Sequence, residues 1–405
     1  MFASQPVSEL LAQAGVETPT YVYDLDGIRQ GARDLLNELP EPHLVAYAVK
    51  ANSAGSVVRA LAAEGTGADV VSGAELELAL ACGIPPKRIV MSGVAKSDRE
   101  LDLAVVTGIR GIQLESVEEI ARVAARARAL GQRARVAVRI NPNVLIDSHA
   151  HIATGHDAAK FGVPLADLGA AWQSIDAHPD ALIGVGMSCH IGSNMGTTDA
   201  YLESGKILCE HARARLAGGG TLEYISFGGG FGIDSGAGTV VAPREFARVA
   251  RGLLVEHGLD ALNLVVEPGR SLVGPYGALI ASVIQSKLGR ERRWLMIDAG
   301  MNDLIRPALY GALHRIEPLE HPPSAGQWRV VGPVCESSDD FGEHPLGDAV
   351  PERIAILDAG AYGFVMASEY NGRGLPNEIF VAGGRVVHVS RSSGSKGWLD
   401  RRLKA

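Results

Sequence analysis

Four short stretches bring together residue types that could do chemistry. "HLVAYAVKANS", His43 to Ser53, is an apolar, strand-forming run that ends in Lys50. An unpaired ammonium in a low-dielectric interior is costly, so a lysine there needs a reason. "SFGGGFG", Ser226 to Gly232, places three glycines in a row at Gly228, Gly229 and Gly230. Without Cβ atoms, their amides can approach an anion closely in nest-like turns. "CHIGS" carries His190 and Ser193, and "EPGR" carries Glu267, Gly269 and Arg270.

Each has a bland reading beside the chemical one. Lys50 could be a strand-end lysine whose stem lies along apolar surface while its ammonium reaches water. His190 could be a hydrogen-bonded structural histidine, Glu267 a salt-bridge partner for Arg270, and the glycines plain turn residues. A dinucleotide fingerprint is disfavoured, because the glycines follow the seventh candidate strand and not the first.

The elements that must position these residues can be read from the alternation of patterns. Eight β-type runs begin near residues 44, 68, 88, 111, 135, 183, 223 and 262, separated by Ala/Leu/Glu/Arg-rich segments. Helices are expected at Ser56 to Glu64, Gly73 to Cys82 and Ser116 to Leu130, the last opened by a Ser116/Glu119 capping box. Eight apolar strands alternating with helices predict a (β/α)8 TIM-type barrel of the α/β class, over residues 26–270. Catalytic groups of such a barrel sit at the C-terminal ends of its strands. Here those ends carry Lys50, Asp69 with Ser72, Ser92, Glu115, Arg139 with Asn141, His190 with Ser193, Gly228 to Gly230, and Glu267 with Arg270. The bland readings would have to hold together at one barrel mouth.

After about residue 271 short strands and turn signals replace the helical texture, which predicts a β-rich, sandwich- or barrel-like domain over 271–405. Residues 1–25, with the lone strand "TPTYVYD", are assigned to it.

The totals bound the rest. The chain has 405 residues, 46% hydrophobic and 21% charged, and a formal net charge of -8. That is ample for a large core, and without a long basic run it predicts neither a nucleic-acid nor an anionic-membrane partner. No segment reaches the roughly 18 uncharged apolar residues of a membrane span, so a cytoplasmic location is expected. Cys82, Cys189, Cys209 and Cys335 form no C-x-x-C pair, which indicates neither a disulfide framework nor a thiolate metal site.

In order along the chain, "YAVKANS", "CHIGS", "FGGGFG", "EPGR", "RPALYGALH", "GPVCESSD" and "DAGAYGFVMASEYNGR" resemble the fold-type III pyridoxal-phosphate decarboxylases, and most closely their diaminopimelate-specific branch. The resemblance implies pyridoxal 5'-phosphate as cofactor and Lys50 as the amine that carries it as a Schiff base. Desolvation and neighbouring positive charge favour such an amine by lowering its proton affinity. It further implies that Glu267 keeps the pyridine nitrogen protonated and that His190 stacks on the ring. The phosphate would meet the amides of Gly228 to Gly230 and Gly269 to Ser271, with hydroxyls from Ser193 and Tyr362. Asp69 and Arg139 match supporting positions.

For the substrate, the resemblance implies that Arg270, Arg306, Tyr310 and Tyr362 bind carboxylate and that Glu336 receives the distal ammonium. Without the family context, Arg306 and Tyr310 would read as a helical i, i+4 surface pair. Cys335 is implied to act with Glu336 from the partner subunit of a homodimer and to return a proton to Cα, with Lys50 as the rival donor.

The implied reaction is decarboxylation of meso-2,6-diaminopimelate to L-lysine and carbon dioxide. Two alternatives stay open: a decarboxylase of another basic amino acid such as D-lysine or D-ornithine, or a non-catalytic pyridoxal-phosphate carrier. The first is motivated by Asn141 to Val163, a segment expected to cover the site, where Ala150 and His151 replace the proline and aromatic residue common in the family. Alanine racemase is disfavoured because "EPGR" supplies an acid where racemases of this fold use arginine.

Overall fold

The computed structural model describes residues 6–144, 160–236, 238 and 240–404. The lid positions Ala150 and His151 lie outside the described residues. The chain divides into two compact units: Gln30–Ile233 with Thr239–Ser271, and Met1–Arg29 with Asp234–Gly238 and Leu272–Ala405.

The first strand, β1 (Thr20–Asp24), belongs to the second of these units. The first unit then contains β2 (Leu44–Ala48), β3 (Gly67–Val70), β4 (Ile89–Met91), β5 (Gly111–Leu114), β6 (Ala134–Asn141), the short β7 (Val163–Pro164), β8 (Leu182–Cys189), β9 (Tyr224–Ser226) and β10 (Asn263–Val266). Eight of them run in the order β5-β4-β3-β2-β10-β9-β8-β6, and a parallel β5–β6 pairing closes the ring. The eight expected runs are therefore the eight barrel strands, and β7 is an addition flanking β6.

Closure buries an apolar plug of Leu44, Ala46, Val90, Ala137, Val185, Tyr224 and Val265. Glycine makes room for its largest member. A Cβ on Gly186 would lie 2.8 Å from the Tyr224 ring, and one on Gly111 would lie 2.4 Å from its hydroxyl. Polar side chains collect at the opposite, C-terminal ends of the strands, where a barrel has loops to hold them.

The expected helices form at Gly55–Ala63, Gly73–Ala81 and Val117–Ala129. The Ser116 cap is present, its hydroxyl accepting from the Glu119 amide at 3.3 Å, but the expected box does not close. The Glu119 carboxylate is drawn instead to Lys96 Nζ at 2.9 Å and the Glu115 amide at 2.9 Å, because a buried lysine needs a counter-charge more than a helix end needs a second cap. A full capping box occurs at Ser97 and Glu100.

The second unit is a nine-stranded sheet. It adds β11 (Gly277–Leu288), β12 (Arg293–Ile297), β13 (Ile316–Pro318), β14 (Gln327–Val331), β15 (Asp340–Pro345), β16 (Arg353–Ile356), β17 (Asn377–Ala382) and β18 (Arg385–Ser390). The order β15-β14-β12-β11-β1-β17-β18 puts β1 in the middle, antiparallel to β11 and parallel to β17, while β16 pairs with β11 and β13. "TPTYVYD" is thus a central strand. Its Val22 joins Leu10, Leu11, Ile280 and Ile379 in the core, and the Tyr21 hydroxyl donates to the Asp303 carbonyl at 2.8 Å, steadying the chain just before Arg306.

Candidate active site

In the barrel unit, β2 stops at Ala48 and the chain turns through a 3-10 segment, Val49–Ala51. Lys50 is therefore not the last residue of the strand, as its apolar run suggests, but the middle of the turn that follows. The Asn52 side chain accepts from the Ala54 amide at 3.0 Å, and the Asn52 carbonyl accepts from the Tyr47 hydroxyl at 2.8 Å, which fixes that turn. The "EPGR" segment lies against it: the Ala48 amide donates to the Pro268 carbonyl at 3.0 Å, and a Cβ on Gly269 would stand 3.0 Å from the Ala51 methyl. Glycine is what this approach requires.

The turn leaves the Lys50 amine partly exposed, 2.6 Å from Asp69 Oδ2, while the Asp69 side chain is fully buried. The second Asp69 oxygen accepts from the Ser92 hydroxyl at 2.6 Å. A buried carboxylate with both oxygens engaged holds the amine at one place.

His190 follows β8. The Gly229 amide, which can only donate, approaches His190 Nδ1 at 3.1 Å, so Nδ1 accepts and the ring proton sits on Nε2. Loss of water around the ring, then the positive charges of Arg139 and Lys50, hold this histidine well below its ordinary range. It is a neutral aromatic face at pH 7. Arg139, on β6, donates to Glu115 Oε1 at 2.8 Å, and Glu115 also accepts from the amides of Gly93 and Gly162.

Glu267 closes the group. Burial, followed by the charge of Asp69, raises its carboxyl to about 7, against the pull of Ser226, Lys50 and Gln113. Gln113 Nε2 donates to its Oε1 at 2.7 Å and the Ser226 hydroxyl donates to the same oxygen at 2.6 Å. Sequence reading missed Gln113, Ser188 and Ser226. The available signal was a polar residue interrupting an apolar barrel strand, which marks an inward position that needs a partner.

The three glycines are explained in part by packing. A Cβ on Gly229 would fall 1.9 Å from the Glu267 carbonyl oxygen, one on Gly228 2.5 Å from the Cys189 carbonyl, and one on Gly230 2.1 Å from the Gly192 carbonyl. Two of the three amides are engaged internally, Gly228 with Ser226 Oγ and Gly229 with His190. The expectation of three amides facing an anion is reduced accordingly. Beside them Arg270, largely buried, donates to Ser193 Oγ at 3.2 Å. Because guanidinium only donates, Ser193 keeps its own hydrogen for another acceptor. Ser271 Oγ is buried and has no hydrogen-bond partner among the described residues. A buried orphan hydroxyl next to a guanidinium suits an anionic group such as a phosphate.

The remaining expected residues are in the β unit. Arg306 opens a short helix, Arg306–Tyr310, and its Nε donates to His314 Nε2 at 3.4 Å, while His314 Nδ1 donates to the Leu357 carbonyl at 2.9 Å. Tyr362 has φ +56°, a left-handed conformation that a tyrosine adopts at a cost of about 1 kcal/mol or more. Cys335 and Glu336 are exposed. Glu336 accepts from the Tyr370 hydroxyl and, at 3.2 Å, from Ser338. Their loop is pinned by Asp339, which accepts from the amides of Met301 and Val334 at 2.6 Å each. Asp339 and Tyr370 stand inside the stretches "GPVCESSD" and "DAGAYGFVMASEYNGR" but were given no role, because Met301 and Glu336, which they meet, lie 38 and 34 residues away.

A family model described as "Pyridoxal-dependent decarboxylase, pyridoxal binding domain" matches residues 25–274. A diaminopimelate decarboxylase of Zymomonas mobilis is 38% identical over 394 residues, covering 95% of this chain and 92% of that protein. One from Neisseria meningitidis serogroup A is also 38% identical, covering 96% of each. A crystal structure of diaminopimelate decarboxylase from Helicobacter pylori complexed with L-lysine superposes with a TM-score of 0.91 at 34% identity, covering 98% of this chain and 99% of that one.

Proposed function

The chain belongs to the fold-type III pyridoxal-phosphate-dependent diaminopimelate decarboxylases, and from that premise we propose how its residues divide the work. It is a carbon–carbon lyase that uses pyridoxal phosphate to convert meso-2,6-diaminopimelate to L-lysine and carbon dioxide, the last step of lysine biosynthesis. The observation that carries this reading is 38% identity over nearly the whole chain to enzymes of that name, and the proximity of Lys50, Asp69, His190 and Glu267 supports it.

Pyridoxal phosphate, when bound, supplies the electron sink that lets a carboxyl group leave an α-amino carbon as carbon dioxide. The protein's share is to bind, orient and move protons. Lys50 would hold the cofactor through its amine, and Asp69 keeps that amine in place. Glu267 keeps the ring nitrogen protonated. Burial makes its carboxyl a weaker acid than usual, and a protonated ring nitrogen facing it would restore the carboxylate, since a carboxylate facing positive charge is favoured. Neutral His190 would offer its face to the ring without adding a competing positive charge, and Arg139, held by Glu115, supports it by donating to the His190 carbonyl at 3.4 Å. Ser193, Gly230, Gly269, Arg270, Ser271 and Tyr362 would be the donors for the phosphate, with Gly228 and Gly229 shaping the turn.

Arg270, Arg306, Tyr310 and Tyr362 bind the carboxylate of the substrate's distal head and Glu336 its ammonium. A carboxylate needs planar, directional donors, which guanidinium supplies. Cys335 is the proton donor to Cα. Exposure of Cys335 and Glu336 on their own unit supports a homodimer in which this loop completes the partner's site. Among the described residues no helix is long and apolar enough to cross a membrane.

The test is an absorbance spectrum between about 300 and 500 nm, followed by carbon dioxide release from meso-diaminopimelate, D-lysine and D-ornithine in parallel. Preferred turnover of diaminopimelate is the expected result, and preference for either other substrate would overturn the assignment. Mixing inactive Lys50→Ala and Cys335→Ala proteins tests the shared site: subunit exchange should restore about a quarter of the activity, and no recovery would place Cys335 in its own subunit's site.

A further inference from the structure

The polar residues beneath Glu267 form a chain whose direction is set by the backbone. The Gly228 amide can only donate, and it approaches Ser226 Oγ at 3.2 Å. Ser226 therefore accepts there and directs its own hydrogen to Glu267 Oε1 at 2.6 Å. On the other side the Ser188 hydroxyl donates to Gln113 Oε1 at 2.9 Å, which turns the amide so that Nε2 donates to the same Glu267 oxygen at 2.7 Å. The four side chains come from β5, β8, β9 and the turn after β10, and Gln113, Ser188 and Ser226 are at most 2% exposed. Polar side chains inside a barrel at this depth are costly unless they satisfy one another or serve the site.

Both donors land on Oε1. That oxygen is thereby disfavoured as the site of a proton, and Oε2 is the one that a pyridine nitrogen would take. Resting on the cofactor reading above, we propose that Gln113 and Ser226 are positioning residues that hold Glu267 as an oriented carboxylate, with Ser188 fixing the Gln113 amide. Reversing the Gln113 amide would set its carbonyl against the carboxylate, so the network selects one protonation state as well as one rotamer.

The ionisable groups around Glu267 leave the donors a decisive share. Asp69 opposes its ionisation and Lys50 assists it. Cys189, Tyr201 and Tyr224 are buried and held neutral, and His190 is neutral as well. No neighbouring charge but Lys50 acts in the donors' direction among these groups, and that lysine is already committed to Asp69.

The experiment reads the carboxyl directly in protein stripped of cofactor, by infrared difference titration of 13C-glutamate-labelled samples, with Glu267→Gln identifying the band. Ser226→Ala and Gln113→Leu should each move the titration upward by roughly one pH unit, and Ser188→Ala by less. Ser226→Thr, which keeps the hydroxyl, should restore the wild-type midpoint. Near-ultraviolet circular dichroism identifies any variant that has not folded, and the remaining variants then carry the comparison. With cofactor and substrate added, kcat should fall about tenfold with KM within about threefold. Midpoints unchanged within about 0.3 unit in the folded variants would overturn the proposal. The titration uses neither substrate nor cofactor, so a wrong substrate assignment would leave it intact.

Discussion

The barrel mouth and the Cys335–Asp339 loop both carry the charged groups of the proposed site, yet they hold them differently. At the barrel mouth charges are buried and tied to one another: Asp69 engages Lys50 and Ser92, Glu115 engages Arg139, and Glu267 accepts two donors on one oxygen. On the β unit, Cys335 and Glu336 are exposed, and Glu336 is met by two exposed hydroxyls. A buried network fixes geometry before any ligand arrives, because unpaired alternatives are costly. An exposed pair in water is held weakly and is decided by whatever covers it. On the proposed reading the barrel's pre-set network serves the cofactor, while the loop offers the adaptable groups, Cys335 as proton donor and Glu336 for the distal ammonium.

The contrast would break most visibly at Lys50. Lys50→Ala should lower decarboxylation by at least about 10³-fold and abolish the cofactor's absorbance band, since Lys50 is the amine paired with Asp69 among the described residues. Residual turnover near wild type would move the chemistry elsewhere. Glu267→Gln should retain the cofactor but lose about 10²-fold in kcat, with KM little changed, as expected for a group whose effect is on the reaction and not on binding. Glu336→Gln should act in the opposite sense: KM for diaminopimelate rises about tenfold while the cofactor spectrum is unchanged. If Glu336→Gln changed the spectrum, the division of labour would be wrong.

The smallest effect sharpens the comparison through two carboxyls with the same acidity and different duties. Glu378, buried in the β unit beside the Tyr23 hydroxyl, is also raised to about 7, by burial above all. Its folded value lies above the ordinary one near 4.5, so between those two pH values the folded protein holds more protons than the unfolded chain, and stability falls as pH rises through that window. Glu378→Gln removes the ionisation and should raise the melting temperature at pH 8 while leaving it nearly unchanged at pH 4, with at most about 3 kcal/mol at stake. The same substitution at Glu267 should cost about 10²-fold in kcat, whereas here it should preserve activity. A pH-independent effect of Glu378→Gln would show that its carboxyl is not strained by burial.

Much of this was legible before folding. Eight apolar runs at regular spacing specify a barrel, because each must bury both faces and each intervening segment has helical periodicity. The chemistry at the strand ends was legible for a related reason: Lys50 and Glu267 stand where an apolar strand would not otherwise tolerate charge. Gln113, Ser188 and Ser226 each interrupt an apolar strand, but the strand by itself does not say which partner they meet. Only closure of β5 onto β6, and the neighbouring order β10-β9-β8, sets them around one oxygen.

The sequence by itself thus determined the alternation of elements, the identity of the reactive side chains and the end of the barrel they occupy, all properties of local pattern. Tertiary structure alone decided which partners they have. It took Glu119 from its cap to Lys96, moved Lys50 from strand to turn, engaged two of three glycine amides, and set the proton on His190 Nε2. The physical reason is that hydrogen bonding and desolvation depend on distances between residues far apart in the chain, and no local pattern records those distances.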